Sequence, residues 1–222
     1  MCHTRVAMGM LVLLAAGPGC KKQPPPPVAA TPIQQASALQ LGFAAGSFLA
    51  QDTQTLELRK QPVAGFARSE DDLYTFMARL GISETDAASA VSAMLDGFAD
   101  PNPRRGSELL SQGINLVMSY VANGPSPELL RVFKVGITVG HMIEVADVLT
   151  RGAPPQQEEV AAFMALTARN RATLQEDLDQ AGLPQELVEA VQATNVEART
   201  VTEMIRVTQD CLKVRSLAAK LQ

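Results

Sequence analysis

Few side chains in this 222-residue sequence have the type and spacing that chemistry requires. His141 and Glu144 form a His-x-x-Glu pair, which is half of the motif that holds two metal ions inside helical bundles. The second half is missing, because the only other histidine is His3, close to the N-terminus. We therefore predict no metal site, and we expect His141 to lie on a polar flank, either hydrogen-bonded or solvated.

Cys211 is a second candidate, because a thiolate beside a histidine can act as a nucleophile. At helical spacing, however, the residues that share its face are apolar: Met204, Val207, Val214 and Ala218. No second histidine is available to activate the thiol. We predict that Cys211 is a small buried hydrophobic residue.

Two charged clusters are explained more simply by their places beside or within helices than by a binding or catalytic site. Arg104-Arg105-Gly106-Ser107 precedes a predicted helix and could hold an anion, but arginines on a solvated loop are the commoner case. Glu70-Asp71-Asp72 falls in the first turn of another predicted helix, where carboxylates stabilise the helix dipole. We predict no catalytic residue, no cofactor and no enzymatic activity.

Composition excludes further classes of function. Hydrophobic residues make up 46% of the chain, which is too many for a disordered charged tail. The net charge of −4 argues against a nucleic acid partner, since binding phosphates requires a high density of cations. Aromatic residues make up only 4% and tryptophan is absent, so stacking platforms for bases or sugars are not expected.

The N-terminus has the pattern of a targeting segment. An apolar run over 6–17 follows Arg5 and leads to Gly19-Cys20-Lys21-Lys22. The run is too short to span a bilayer as a helix, which needs about 20 residues. The segment resembles the signal peptide and lipobox of bacterial lipoproteins, in which the cysteine sulfur receives a diacylglycerol before cleavage. The alternative is an ordinary cleaved secretory leader in which Cys20 has no role.

The resemblance implies a signal peptide over 1–19, lipidation of Cys20 and a Pro-rich tether over 20–32. Four consecutive prolines in that tether favour extended polyproline II backbone. The implied location is the periplasmic side of the outer membrane of a didermic bacterium, with the inner membrane and the cell surface as alternatives. The implied partners are the membrane itself, through the lipid, and at least one envelope protein.

From residue 32 onward the pattern is helical, because apolar residues recur at spacings of three and four. We predict an all-α bundle of about seven helices in a single domain over 33–222. The predicted helices cover about 32–61, 69–81, 83–97, 107–122, 126–151, 154–182 and 184–222, with a loop over 100–106. The last is either one long helix or bends near Thr194-Asn195. Its apolar seam comprises Leu187, Val191, Thr194, Ala198, Val201, Ile205, Thr208 and Leu212.

Two Gly-x-x-x-Gly motifs, Gly42/Gly46 and Gly136/Gly140, lie 94 residues apart. Interior glycines cost helix stability, so their presence predicts that helix backbones approach closely there, in the core of the bundle. The spacing also suggests an internal duplication of a three- to four-helix unit, with halves over 32–124 and 125–222. Chance similarity between helices rich in alanine and glycine is the alternative.

Together these features predict a membrane-anchored periplasmic protein that acts as a binding or scaffolding component of the cell envelope. The alternative is a carrier or chaperone that holds an apolar ligand, lipid or peptide between its helices, since nine methionines could line an adaptable cavity. A dry core would favour the scaffold, and a continuous apolar cavity would favour the carrier.

Overall fold

The computed structural model describes residues 28–50, 70–150, 157–194 and 199–221. These residues form helices, turns and short connections and contain no strand, which confirms the all-α prediction. The predicted signal peptide over 1–19, Cys20 and the first part of the tether lie outside the described residues. The helices of the described residues are α1 (Pro32–Ala50), α2 (Glu70–Arg79), α3 (Glu84–Ala99), α4 (Pro103–Ala122), α5 (Leu129–Thr150), α6 (Gln157–Gln180), α7 (Gln185–Thr194) and α8 (Val201–Ala219).

Several helix ends follow directly from local sequence. The Thr31 hydroxyl accepts a hydrogen bond from the Gln34 backbone N–H (3.3 Å), and the Gln34 side chain accepts one from the Thr31 N–H (3.0 Å). This reciprocal cap, followed by Pro32, starts α1 at the predicted residue. Beyond α2 and α6, Gly81 and Gly182 adopt φ values of +80° and +61°, which glycine tolerates better than any other residue.

Helix α4 begins earlier than predicted. The Asn102 side chain accepts hydrogen bonds from the backbone N–H groups of Arg104 and Arg105 (3.1 and 3.3 Å), and Pro103 occupies the first helical position. The predicted loop over 100–106 is therefore wrong for its last four residues, because an asparagine cap and a proline together make a strong start signal. Gly106 consequently lies inside the helix.

The C-terminal segment forms two helices. The Thr200 hydroxyl accepts from the Glu203 N–H (3.2 Å), and the Glu203 carboxylate accepts from the Thr200 N–H (3.0 Å). This capping box starts α8, so a single unbroken helix is wrong and a break close to the predicted bend is correct. The predicted apolar seam divides there: Leu187 is buried, whereas Leu212 is 47% exposed.

Helices α1 and α5 form the centre of the bundle and contact each other more extensively than any other described pair. Helix α1 also packs against α2 and α8, and α5 packs against α4, α6 and α8. Two further pairs, α3 with α4 and α7 with α8, lie at the outside. Fourteen of the 19 residues of α1 are buried, which explains why its sequence has no polar face.

Among the described helices, none combines the length and the hydropathy that crossing a bilayer requires.

Candidate functional site

The four predicted contact glycines meet in one crossing between α1 and α5. A Cβ built on Gly42 would lie 2.8 Å from the Gly136 Cα and would also meet the Phe133 carbonyl oxygen. A Cβ on Gly136 would lie 2.9 Å from the Gly42 Cα and 2.5 Å from the Leu39 carbonyl oxygen. The two backbones are therefore in direct contact, with no space for a side chain between them.

One turn further along, the same contact is repeated. A Cβ on Gly46 would meet the Ile137 carbonyl oxygen and lie 2.7 Å from the His141 nitrogen. A Cβ on Gly140 would lie 2.5 Å from the Phe43 carbonyl oxygen and 2.7 Å from its Cα. Every one of these neighbours is a backbone atom, which cannot move aside as the end of a flexible side chain can.

The crossing is reciprocal. Gly42 meets Phe133 while Gly136 meets Leu39, and both of these pairs of equivalent residues are separated by 94 positions. The same separation relates Ile137, which Gly46 meets, to Phe43, which Gly140 meets. Positions 94 residues apart on α1 and α5 therefore meet reciprocally, as equivalent residues do in a symmetric homodimer.

A second glycine-lined crossing, between α3 and α4, was not anticipated from the sequence. A Cβ on Gly97 would lie 2.7 Å from both the Gly106 carbonyl oxygen and the Leu110 nitrogen. A Cβ on Gly113 would lie 2.8 Å from the Ala90 carbonyl oxygen. The available signal was the seven-residue spacing of Gly106 and Gly113, which was missed because Gly106 was assigned to a loop.

Beside the central crossing lies a buried polar cluster. Glu144 is 1% exposed and accepts a hydrogen bond from the Ser47 hydroxyl (3.1 Å) across the α1–α5 contact. The His141 Nε2 is buried and has no hydrogen-bond partner among the described residues, so the predicted hydrogen-bonded or solvated histidine is wrong at this atom. Burial, aided by the charge of Arg169, lowers the pKa of His141 to about 4.

This cluster lacks the ligands for a metal. Within the described part of the chain, no group of three or more histidine, cysteine, aspartate or glutamate side chains could hold a metal ion. A neutral His141 beside one buried carboxylate offers two ligands at most.

Cys211 lies in the core between α7 and α8. Its side chain is fully buried, and burial raises the pKa of the thiol far above its ordinary value. A thiol in this environment stays protonated and out of contact with solvent, so it lacks the thiolate character that a nucleophile needs.

The two charged clusters lie at the surface. Arg104 pairs with Glu108 (3.3 Å) within α4, and both side chains are more than two-thirds exposed. Arg105 pairs with Asp100 (3.2 Å), next to the helix start. Glu70-Asp71-Asp72 lies in the first turn of α2, in the position that complements the helix dipole.

No protein-family model, curated protein or solved structure matches this chain.

The end of the predicted tether is bonded to the helical domain. The Val28 N–H donates to the Pro125 carbonyl (2.9 Å), and the Ser126 hydroxyl donates to the Val28 carbonyl (2.7 Å). The Ala30 N–H donates to the Glu128 carboxylate (2.6 Å). Residues 28–30, which the sequence assigned to the tether, thus belong structurally to the domain. Nothing local in the sequence predicts these bonds, because the partners are about 98 residues away.

Two open surfaces lie on the outside of the bundle. A groove of about 530 Å³ lies between α2 and α3, with Tyr74, Ile82 and Ala87 among its lining residues. A shallower depression of about 580 Å³ follows the outer face of α4, from Ser107 to Leu116. Both are at the surface of the bundle rather than between the central helices.

Proposed function

We propose that the protein is a non-enzymatic lipoprotein, attached through Cys20 to the periplasmic face of the outer membrane, that acts as a binding or scaffolding component of the cell envelope. The anchor rests on the short apolar run over 6–17 and on the Gly19-Cys20-Lys21 junction that follows it. The binding or scaffolding role rests on the backbone contact between α1 and α5.

The observation that favours a scaffold over a carrier is the backbone contact between α1 and α5. A carrier that holds an apolar ligand between its helices needs a cavity in the bundle. At the centre of this bundle, Gly42 and Gly136 bring the two backbones into contact, so helix atoms occupy the place where such a ligand would lie. The open surfaces on α2, α3 and α4 are better suited to a protein partner.

The bonds between residues 28–30 and the loop before α5 support a short connection to the membrane. Only the segment from Cys20 to Pro27 then separates the anchor from the domain. Even fully extended, at roughly 3.5 Å per residue, eight residues reach no more than about 28 Å. The domain is therefore held near the bilayer rather than on a long free tether.

An internal duplication of a three- to four-helix unit would account for the similarity of the two halves, 32–124 and 125–222. The reciprocal glycine crossing supports it, as do the two left-handed glycines Gly81 and Gly182 after equivalent helices. Helices α4 and α8 match as well, at a separation of 97 residues. Their buried residues coincide in the pairs Leu110 and Val207, Ile114 and Cys211, Val117 and Val214, and Val121 and Ala218.

Metabolic labelling tests the anchor. In cells supplied with a clickable palmitate analogue, the wild-type chain should take up label and migrate as a cleaved species. The Cys20→Ser chain should remain unlabelled, and either uncleaved or soluble. Cys211→Ser is the matched control and should be labelled like the wild type. Equal membrane attachment of the wild-type and Cys20→Ser chains would disprove the anchor.

Cross-linking and native mass spectrometry separate scaffold from carrier. A photo-crosslinking residue in place of Thr75, in the groove between α2 and α3, or of Gln112, on the face of α4, should give a discrete protein adduct in cells. The purified chain should show no small-molecule adduct. A stoichiometric lipid or peptide on the purified chain, with no cross-link from either surface, would establish the carrier instead.

A further inference from the structure

Helix α8 displays an apolar stripe to solvent. Val201, Ile205 and Leu212 are 36%, 43% and 47% exposed, and their spacing places them along one side of the helix. The adjoining side of α8, which carries Met204 and Val214, is buried in the bundle. The stripe is therefore separate from the apolar face with which α8 packs into the bundle.

A row of cations runs beside this stripe. Arg206, Lys213 and Lys220 are exposed, and each directly follows a residue of the exposed side at positions 205, 212 and 219. Residues seven apart lie nearly one above the other on a helix, so the row of cations runs parallel to the stripe and is about 21 Å long. In a chain with a net charge of −4, this side of α8 is locally basic.

The carboxylates of α8 lie further around the helix, beyond the cations. Glu203 is engaged in the capping box with Thr200, and Asp210 is 27% exposed and approaches Arg206 to 3.9 Å. A fourth basic residue of this segment, Arg215, lies on the other flank of the stripe and is partly buried. The exposed cations therefore border the aliphatic row on one side, and the partly buried Arg215 lies on the other.

The equivalent helix shows that the fold does not require this pattern. At a separation of 97 residues, α4 has Arg104, Glu108 and Asn115 where α8 has its apolar stripe. The side chains of Arg104 and Glu108 are 90% and 68% exposed, and they form an ordinary surface ion pair. The core positions of the two helices match, whereas their exposed sides differ in character.

We propose that the exposed side of α8 binds the surface of a bilayer that contains anionic phospholipids, with the aliphatic row entering the headgroup region and the cations pairing with phosphates. Aliphatic residues flanked by lysine and arginine are the pattern of helices that lie in the membrane interface. The inference rests on the proposed function for proximity, because the anchor at Cys20 keeps the domain near the bilayer. Each cation near an anionic surface strengthens binding about fivefold.

A convex stripe on one helix fits a membrane better than a protein. A protein partner that covers exposed aliphatic residues normally supplies a groove or a helix with matching knobs. Here the two rows lie on neighbouring sides of one helix at the outside of the bundle, with the cations on a flank of the apolar stripe. A bilayer interface offers both chemistries in that arrangement without any specific shape.

Site-specific fluorescence tests the proposal in the mature protein purified from cells that express the full chain. An environment-sensitive fluorescent amino acid replaces Ser216, which lies beside the stripe, or Ser119, its exposed equivalent on α4. Each protein is mixed with, or reconstituted into, phosphatidylcholine vesicles with and without phosphatidylglycerol. Flotation with the vesicles reports attachment, and the emission maximum reports whether the labelled face meets lipid. A failed anchor and a failed α8 contact are therefore distinguished.

We expect a blue shift at position 216 in vesicles that contain phosphatidylglycerol, and none at position 119. Replacing both Ile205→Ser and Leu212→Ser should abolish the shift, and Lys213→Glu with Lys220→Glu should reduce it at least tenfold in lipid titrations. Ile33→Ser removes an equally exposed aliphatic side chain from α1 and should have no effect. Equal shifts at 216 and 119, the same shift in neutral vesicles, or a shift that grows with protein concentration without lipid would each overturn the proposal, the last in favour of a second copy of the chain.

Discussion

Gly42 and Gly136 face each other so closely that a Cβ on either residue would lie less than 3 Å from the Cα of the other, at 2.8 and 2.9 Å. Real Cβ atoms are essentially never found at such distances from a backbone atom. The contact therefore depends on glycine at both positions. It also implies that the two central helices cannot be separated or rotated without breaking the bundle.

The first prediction concerns whether a Gly→Ala substitution raises or lowers the free energy of unfolding. Gly140→Ala and Gly46→Ala should each destabilise the protein, although alanine raises helix propensity by about 1 kcal/mol. Overpacking against immobile backbone typically costs about 1 to 3 kcal/mol, and these contacts are short enough for the upper end, so we expect net losses of about 2 kcal/mol. Urea denaturation of the mature chain measures the free energy of unfolding.

Ser111→Ala, at an exposed position of α4, is the control for helix propensity and should be neutral or slightly stabilising. If both glycine variants proved more stable than the wild type, the backbone contact would be wrong.

The second prediction concerns pH. Because burial lowers the pKa of His141 to about 4, the unfolded chain binds a proton at this residue between about pH 6.5 and pH 4 while the folded chain does not. The contribution of a neutral His141 to the free energy of unfolding is fully present above about pH 6.5, and it is lost as the pH falls from about 6.5 to about 4. The loss is on the order of 3 kcal/mol at the acid end.

Denaturation midpoints at pH 7, 6 and 5 check this expectation. His141→Gln removes the titrating group, so the variant should lose less stability over this interval than the wild type does. Identical slopes for the two proteins would show that His141 does not titrate with folding.

The third prediction concerns the reactivity of Cys211. Because its thiol is fully buried and its pKa is raised, iodoacetamide should not modify it in the folded protein. After denaturation in urea, the same residue should react completely. Peptide mapping by mass spectrometry follows Cys211 separately from the N-terminal cysteines. Rapid alkylation of the native chain would contradict the core position of this residue.

The fourth prediction concerns the junction between the tether and the domain. Ser126→Ala removes the donor to the Val28 carbonyl, and Glu128→Ala removes the acceptor for the Ala30 N–H. Each change should increase proteolytic cleavage around residues 28–31 while costing about 1 kcal/mol or less in stability. Glu128→Gln keeps an acceptor oxygen and serves as the control. Unchanged cleavage in the double variant would show that these bonds do not hold the segment.

Local chemistry in the sequence was sufficient for most helix boundaries. The cap at Thr31 with Pro32, and the glycines Gly81 and Gly182, end or start helices through interactions within a few residues. The same kind of signal was present but missed at Asn102, where the cap and the following proline start α4. It was also missed at Thr200, whose capping box with Glu203 divides the last segment.

The apolar seam of the last segment shows where periodicity alone fails. Its spacing would place Leu187 and Leu212 on one face of a continuous helix. Because the helix ends at Thr194 and restarts at Val201, the two parts have independent rotations about their axes. Leu187 consequently faces the core, and Leu212 faces solvent.

The sequence by itself determined the all-α class, most helix ends and the presence of closely packed glycines, since each of these depends on interactions between residues near one another in the chain. Only the tertiary structure decided that Gly42 meets Gly136, that Val28 bonds to the loop at 125–128, and that one side of α8 remains uncovered. These relations join residues that are about 94 to 98 positions apart or depend on which helices cover one another. Periodicity marks which side of a helix is apolar but carries no information about the partner that packs there.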